Sequence, residues 1–134
     1  MMKVLIAEDS AVNRELLREL LEARGFEVTE ACDGQEALET ISRERPDVLL
    51  LDIGMPKLDG FGVLRKVRED PETADLPVLA VTAYAMRGDR ERILSAGFDA
   101  YLSKPLNATL LGRELARVLG RRSETPEAAA EELG

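Results

Sequence analysis

Five polar residues stand at the ends of apolar runs. Glu8 and Asp9 follow "KVLIA", Asp52 closes "VLLLD", Thr82 closes "VLAVT" and Lys104 follows "AYLS". A carboxylate at the mouth of an apolar run is costly unless something binds it. Two unit negative charges about 4 Å apart repel by roughly 1 to 4 kcal/mol at effective dielectrics from 80 down to 20. A cation relieves that repulsion, and a small set of oxygen ligands suits Mg²⁺, with Mn²⁺ as a substitute. Lys104 and Thr82 add a flexible cation and a hydroxyl, the groups that hold phosphoryl oxygens. An aspartate beside a metal ion can attack phosphorus to give an acyl phosphate. The set therefore reads as a phosphoryl acceptor.

Those residues meet only if the chain brings distant strand ends to one edge. "KVLIA" (Lys3 to Ala7) precedes a predicted helix over about Ala11 to Arg24, with Leu16, Leu17, Leu20 and Leu21 as its apolar face and Gly25 as its stop. "EVTEA" (Glu27 to Ala31) alternates and reads as an edge strand. A helix near Gln35 to Arg45 must end before Pro46. "VLLL" and "VLAV" are continuous apolar runs, as in central parallel strands covered on both faces. Further helices are predicted near Phe61 to Glu69, Arg87 to Ala96 and Ala108 to Leu119, with the short strand "AYLS" at Ala100 to Ser103. "DPETADLP" (Asp70 to Pro77) is a polar loop. Five β–α units imply an α/β domain, a flavodoxin-like doubly wound parallel sheet of order 2-1-3-4-5 with helices on both faces. Ligands of such sheets bind beyond the carboxyl ends of the strands. The domain is expected to span 1–120, and residues 121–134, with four glutamates and little apolar content, an acidic mobile tail.

Composition excludes several classes. At 134 residues, 45% hydrophobic and 33% charged, the chain fits one soluble domain, and a cytoplasmic location is expected. No apolar run approaches the roughly 20 residues of a membrane span. A formal charge of −8 argues against nucleic acid as a partner. The chain has no histidine, which rules out Ser-His and Cys-His catalysis, His-ligated metals and a phosphohistidine of its own. Cys32 is the one cysteine, so there is no internal disulfide, and it is expected to be a small buried hydrophobe.

"EDSAVNRELL", "LLLDIGMPKLDG", "VTAYAMRGDRE" and "AGFDAYLSKP" resemble the successive signature blocks of the CheY-like response-regulator receiver domain, over about Lys3 to Leu119. They are most similar to DivK-type single-domain receivers and to the receivers of hybrid histidine kinases. The resemblance implies that Asp52 is phosphorylated. It makes Asp9 and Asp52 Mg²⁺ ligands, with Glu8 direct or through water and the backbone carbonyl of Gly54 completing the set. Thr82 is the implied switch hydroxyl, Lys104 the phosphoryl counter-ion, Tyr101 the aromatic switch, and the bond before Pro105 cis. The implied donor is a histidine kinase or histidine phosphotransfer protein. The implied output is contact with a downstream protein through the face of the fourth helix, fifth strand and fifth helix, including Arg87. Such a protein is a monomer or a weak phosphorylation-dependent dimer. Gly54 and Tyr84 depart from many receivers and bear on how water reaches the acyl phosphate. Met1 and the acidic tail favour a stand-alone regulator over a piece of a hybrid kinase.

Two other classes fit less well. A haloacid-dehalogenase-type phosphatase needs an acid two residues after the nucleophile, where Gly54 stands. A flavodoxin-like cofactor binder needs a phosphate loop after the first strand, where "AEDSAVN" places two acids.

Overall fold

The computed structural model describes residues 2–55, 57–83 and 88–122. Strands and helices alternate: β1 (Lys3–Ala7), α1 (Ala11–Glu22), β2 (Glu27–Ala31), α2 (Gly34–Glu44), β3 (Val48–Asp52), α3 (Gly60–Glu69), β4 (Val78–Thr82), α4 (Asp89–Ala96), β5 (Ala100–Ser103) and α5 (Ala108–Arg122). The strands form one parallel sheet of order β2-β1-β3-β4-β5, as expected. The partly exposed strands β2 and β5 lie at its edges, while every residue of β3 and β4 is buried.

The continuous apolar runs exist because successive side chains enter different cores. Leu5, Ala7, Leu49, Leu51, Val78 and Ala80 pack with Ala37 and Ile41 of α2, Val63, Leu64 and Val67 of α3, and Ile93 of α4. Val4, Ile6, Val48, Leu50, Leu79, Val81 and Leu102 pack with Leu17 and Leu21 of α1 and Leu111, Leu115 and Val118 of α5. Alternation with period two thus divides one sheet between two helical layers.

Some boundaries and burials differ from the sequence reading. The α-helical part of α1 ends at Glu22 rather than Arg24, because its last turn tightens into three-residue bonds, Arg24 N–H to the Leu21 carbonyl and Gly25 N–H to that of Glu22. Gly25 then takes the left-handed turn at φ +90°. Leu16 is 46% exposed. The sheet takes the Leu17–Leu21 stripe, and Leu16 sits about 100° round the helix from Leu17. The α5 helix runs through Arg122 rather than ending near Leu119, and buried Val118 and Leu119 keep its last turns on the sheet. Cys32 is exposed rather than buried: it follows the last residue of β2 into the loop and donates its thiol to Glu36 Oε2 at 3.1 Å. Tyr84, Arg87 and the tail from Ser123 lie outside the described residues.

Candidate functional site

Side-chain alternation decides which polar residues meet. Ile6, Leu50 and Leu102 face the α1/α5 layer. Two residues further on, Glu8, Asp52 and Lys104 leave their strand ends on that side. Glu8 and Asp52 are 1% and 7% exposed. Lys104 Nζ donates to both carboxylate oxygens of Glu8, at 3.0 and 3.1 Å, and stands 3.5 Å from Asp52 Oδ2. Asp9, one residue past Glu8, is exposed, and carboxylate oxygens of Glu8, Asp9 and Asp52 lie within 4.8 Å of one another.

The surrounding loops fix this cluster. The Gly54 amide donates to Asp52 Oδ1 at 3.1 Å and Asn13 Nδ2 to Glu8 Oε1 at 2.9 Å. Ser10, Asp33 and Asp59 cap α1, α2 and α3 at this edge by accepting from Asn13, Glu36 and Gly62 amides. Lys57, at φ +67°, pairs with Asp33 at 3.3 Å, which ties the β3–α3 loop to the start of α2. Gly34 is required there, since a Cβ on it would collide with the Leu58 carbonyl oxygen.

Thr82 is 1% exposed and pairs with Ser103, and its carbonyl accepts the Lys104 amide at 2.8 Å. Val78 and Ala80, four and two residues earlier, face the α2–α4 layer, so Thr82 belongs to the opposite face from Asp52. Tyr101 pairs with Ala80 and lies half-buried against that same layer. The Lys104–Pro105 peptide bond is cis.

The charges are unevenly settled. Burial, then the hydrogen bond and charge of Glu8, push the Asp52 carboxyl up to about 6, against the Gly54 amide and Lys104. Burial also works to raise Glu8, but hydrogen bonds from Asp52, Asn13 and Lys104 prevail and hold it below the ordinary carboxylate value. Burial works to lower Lys104, and its two carboxylate partners raise it instead. Without a metal ion, the ammonium is the cluster's counter-charge. The donor set is nonetheless one that suits a hard divalent ion: three carboxylates from the ends of the neighbouring strands β1 and β3, converging at a solvent-accessible edge.

Asn13, Lys57 and the N-cap Asp33 support the site without having been singled out in the sequence. The signal for Asn13 was available in "EDSAVN", where it falls three residues past the Ser10 cap and so turns back over Glu8.

The family model of the response regulator receiver domain matches residues 4–116. The chain belongs to the response regulator receiver family. Among curated relatives of this receiver, the polar-differentiation response regulator DivK of Brucella anthropi is 41% identical over 117 residues, 87% of this chain and 95% of the relative. DivK of Brucella ovis is 40% identical over the same length. A solved structure of the receiver domain of sensor histidine kinase PA1611 from Pseudomonas aeruginosa, with a magnesium ion coordinated in its active-site cleft, is 37% identical. It matches at a TM-score of 0.82 over 89% of this chain and 98% of that one. Chemotaxis response regulator CheY4 of Vibrio cholerae matches at 0.81 with 33% identity, over 88% and 98% of the two chains. Among the described residues, no helix of the receiver is long and apolar enough to cross a membrane.

Proposed function

We propose that this receiver is a single-domain, cytoplasmic response regulator that takes a phosphoryl group onto Asp52 from a phosphohistidine of a histidine kinase or phosphotransfer protein. The observation that carries the reading is the buried Asp52 carboxylate, held between the Gly54 amide and Lys104 beside Glu8 and Asp9. Support for a stand-alone regulator comes from the DivK relatives, of which the match covers 95%.

Glu8, Asp9 and Asp52, with the carbonyl of Gly54, would hold Mg²⁺ or Mn²⁺, which supplies neutralisation of phosphoryl charge. With its carboxyl at about 6, Asp52 is largely ionised at pH 7. The Gly54 N–H fixes Oδ1, which orients the carboxylate. A carboxylate oxygen attacks phosphorus, the new O–P bond forms as the donor's P–N bond breaks, and the donor imidazole leaves with the electron pair. Lys104, on a flexible stem and already 3.5 Å from Asp52, moves its ammonium from Glu8 to a phosphoryl oxygen. The Thr82 hydroxyl, buried at the end of the neighbouring strand, turns toward the same group.

Output follows from that turn. Tyr101 shares the α2–α4 face with Thr82 and rotates inward as the threonine moves, altering the α4–β5–α5 surface that a downstream protein reads. A differential affinity for the two states is what converts this into a signal. The protein acts as a monomer or a weak phosphorylation-dependent dimer. Incubation with a radiolabelled phosphohistidine protein and Mg²⁺ tests the reading: wild type becomes labelled and Asp52→Asn does not. Equal labelling of the variant contradicts it.

A further inference from the structure

Arg14 reaches back from the first turn of α1 to the two acids that begin the site. Its Nη1 donates to the backbone carbonyls of Glu8, at 2.8 Å, and Asp9, at 3.1 Å. Its Nε donates to Glu30 Oε1 of β2 at 3.2 Å, and the other oxygen of Glu30 accepts from Arg18 Nε at 2.7 Å. Arg18 also pairs with Glu22 at 3.3 Å. The Arg14 side chain is only 20% exposed.

We infer that Arg14 is a positioning residue for the divalent cation, clamping the β1–α1 loop so that the Glu8 and Asp9 carboxylates converge on Asp52, with Glu30 balancing its charge. The inference rests on the proposed role of those three carboxylates. Both clamped carbonyls belong to the residues whose side chains must converge, so the clamp fixes the backbone from which they project. Nη1 bridges the two carbonyls while Nε of the same rigid plane holds Glu30, an arrangement that a point-charge ammonium does not reproduce in full. Left alone, that charge would repel a cation nearby. Glu30 neutralises it, and Arg18 in turn holds Glu30 in place. The four side chains Arg14, Glu30, Arg18 and Glu22 carry no net charge, so the loop receives the hydrogen bonds without a repulsive field.

Outer partners of metal ligands typically contribute about 10- to 100-fold in metal affinity. Mn²⁺ binding followed by electron paramagnetic resonance, and Mg²⁺ binding by calorimetry, measure it directly. Arg14→Met keeps the aliphatic stem and loses the donors. Its dissociation constant should rise about tenfold, while its circular dichroism and urea midpoint without cation stay close to wild type. Arg14→Lys keeps a charged donor within reach of the carbonyls and should recover part of the loss; it also carries the test if the methionine variant does not fold. Glu30→Gln should weaken cation binding in the wild-type background and change it less than about twofold when Arg14 is already methionine, since contacting residues couple. Affinity of Arg14→Met within twofold of wild type, or a lysine variant as weak as the methionine one, overturns the inference and leaves the carboxylate site standing. Failure of wild type to bind either ion overturns that site as well.

Discussion

Lys104 Nζ lies closer to Glu8, at 3.0 and 3.1 Å, than to Asp52, at 3.5 Å. The ammonium thus serves first as counter-ion to a carboxylate that is almost wholly buried, and it offsets only part of the negative charge of the three carboxylates, which leaves the site suited to a divalent cation.

Replacing Lys104 by Met should destabilise the metal-free protein. A buried carboxylate left unpaired is costly. Because Lys104 is 20% exposed and partly screened, the expected loss is about 1–3 kcal/mol. Mg²⁺ should stabilise the variant more than wild type, since it restores the missing positive charge. Urea unfolding in EDTA and in Mg²⁺ checks both.

Asp52 gives a pH dependence of opposite sign to that of an ordinary paired carboxylate. Its folded pKa of about 6 lies above the unfolded value, so the cost of ionising it is absent below about pH 4 and complete above pH 6. Asp52→Asn should therefore stabilise the metal-free protein by about 1–3 kcal/mol at pH 7.5. The advantage should vanish as pH falls to about 4, and shrink when Mg²⁺ is added. Urea midpoints across pH 4–8 measure it.

Gly34 is held to its residue type by the Leu58 carbonyl rather than by its backbone angles. Gly34→Ala should cost about 1–3 kcal/mol through overpacking, and should shift the β3–α3 loop that follows Asp52. Unfolding free energy and amide chemical shifts from Ile53 to Asp59 report the two effects.

Much of this arrangement was legible in the sequence because it rests on period-two burial. A run such as "VLLLD" is apolar on both faces only in a covered central strand, and its final aspartate must emerge at the ligand-binding edge. The edge strands, the sheet order and the acid trio follow from that logic. The local signals that failed were those set by tertiary contact. Leu16 matches a helical face as well as Leu20 does, but the sheet meets the stripe through Leu17 and Leu21. Cys32 turns outward because the chain has left β2 one residue before it, a boundary that composition does not mark. The Lys104–Glu8 pair joins residues 96 positions apart, and the sequence named both without indicating that they bind each other in the absence of a metal ion.

Thr82→Ala should uncouple phosphorylation from output. Thr82 is buried at the strand end beside the site and shares a face with Tyr101. Partner binding is measured with and without beryllofluoride as a mimic of the acyl phosphate. Wild type should gain affinity with the mimic and the variant should gain little, while still binding the mimic itself. A full gain in the variant would remove Thr82 from the relay.

Borohydride trapping reads out whether the Asp52 carboxylate is the phosphoryl acceptor. The protein is phosphorylated with acetyl phosphate and Mg²⁺, reduced, digested and sequenced by mass spectrometry. Reduction converts an aspartyl phosphate to homoserine, which should be found at position 52 and nowhere else, and should be missing when Mg²⁺ is withheld. Homoserine at Asp9, or at any other aspartate with position 52 unmodified, would exclude Asp52 as the acceptor.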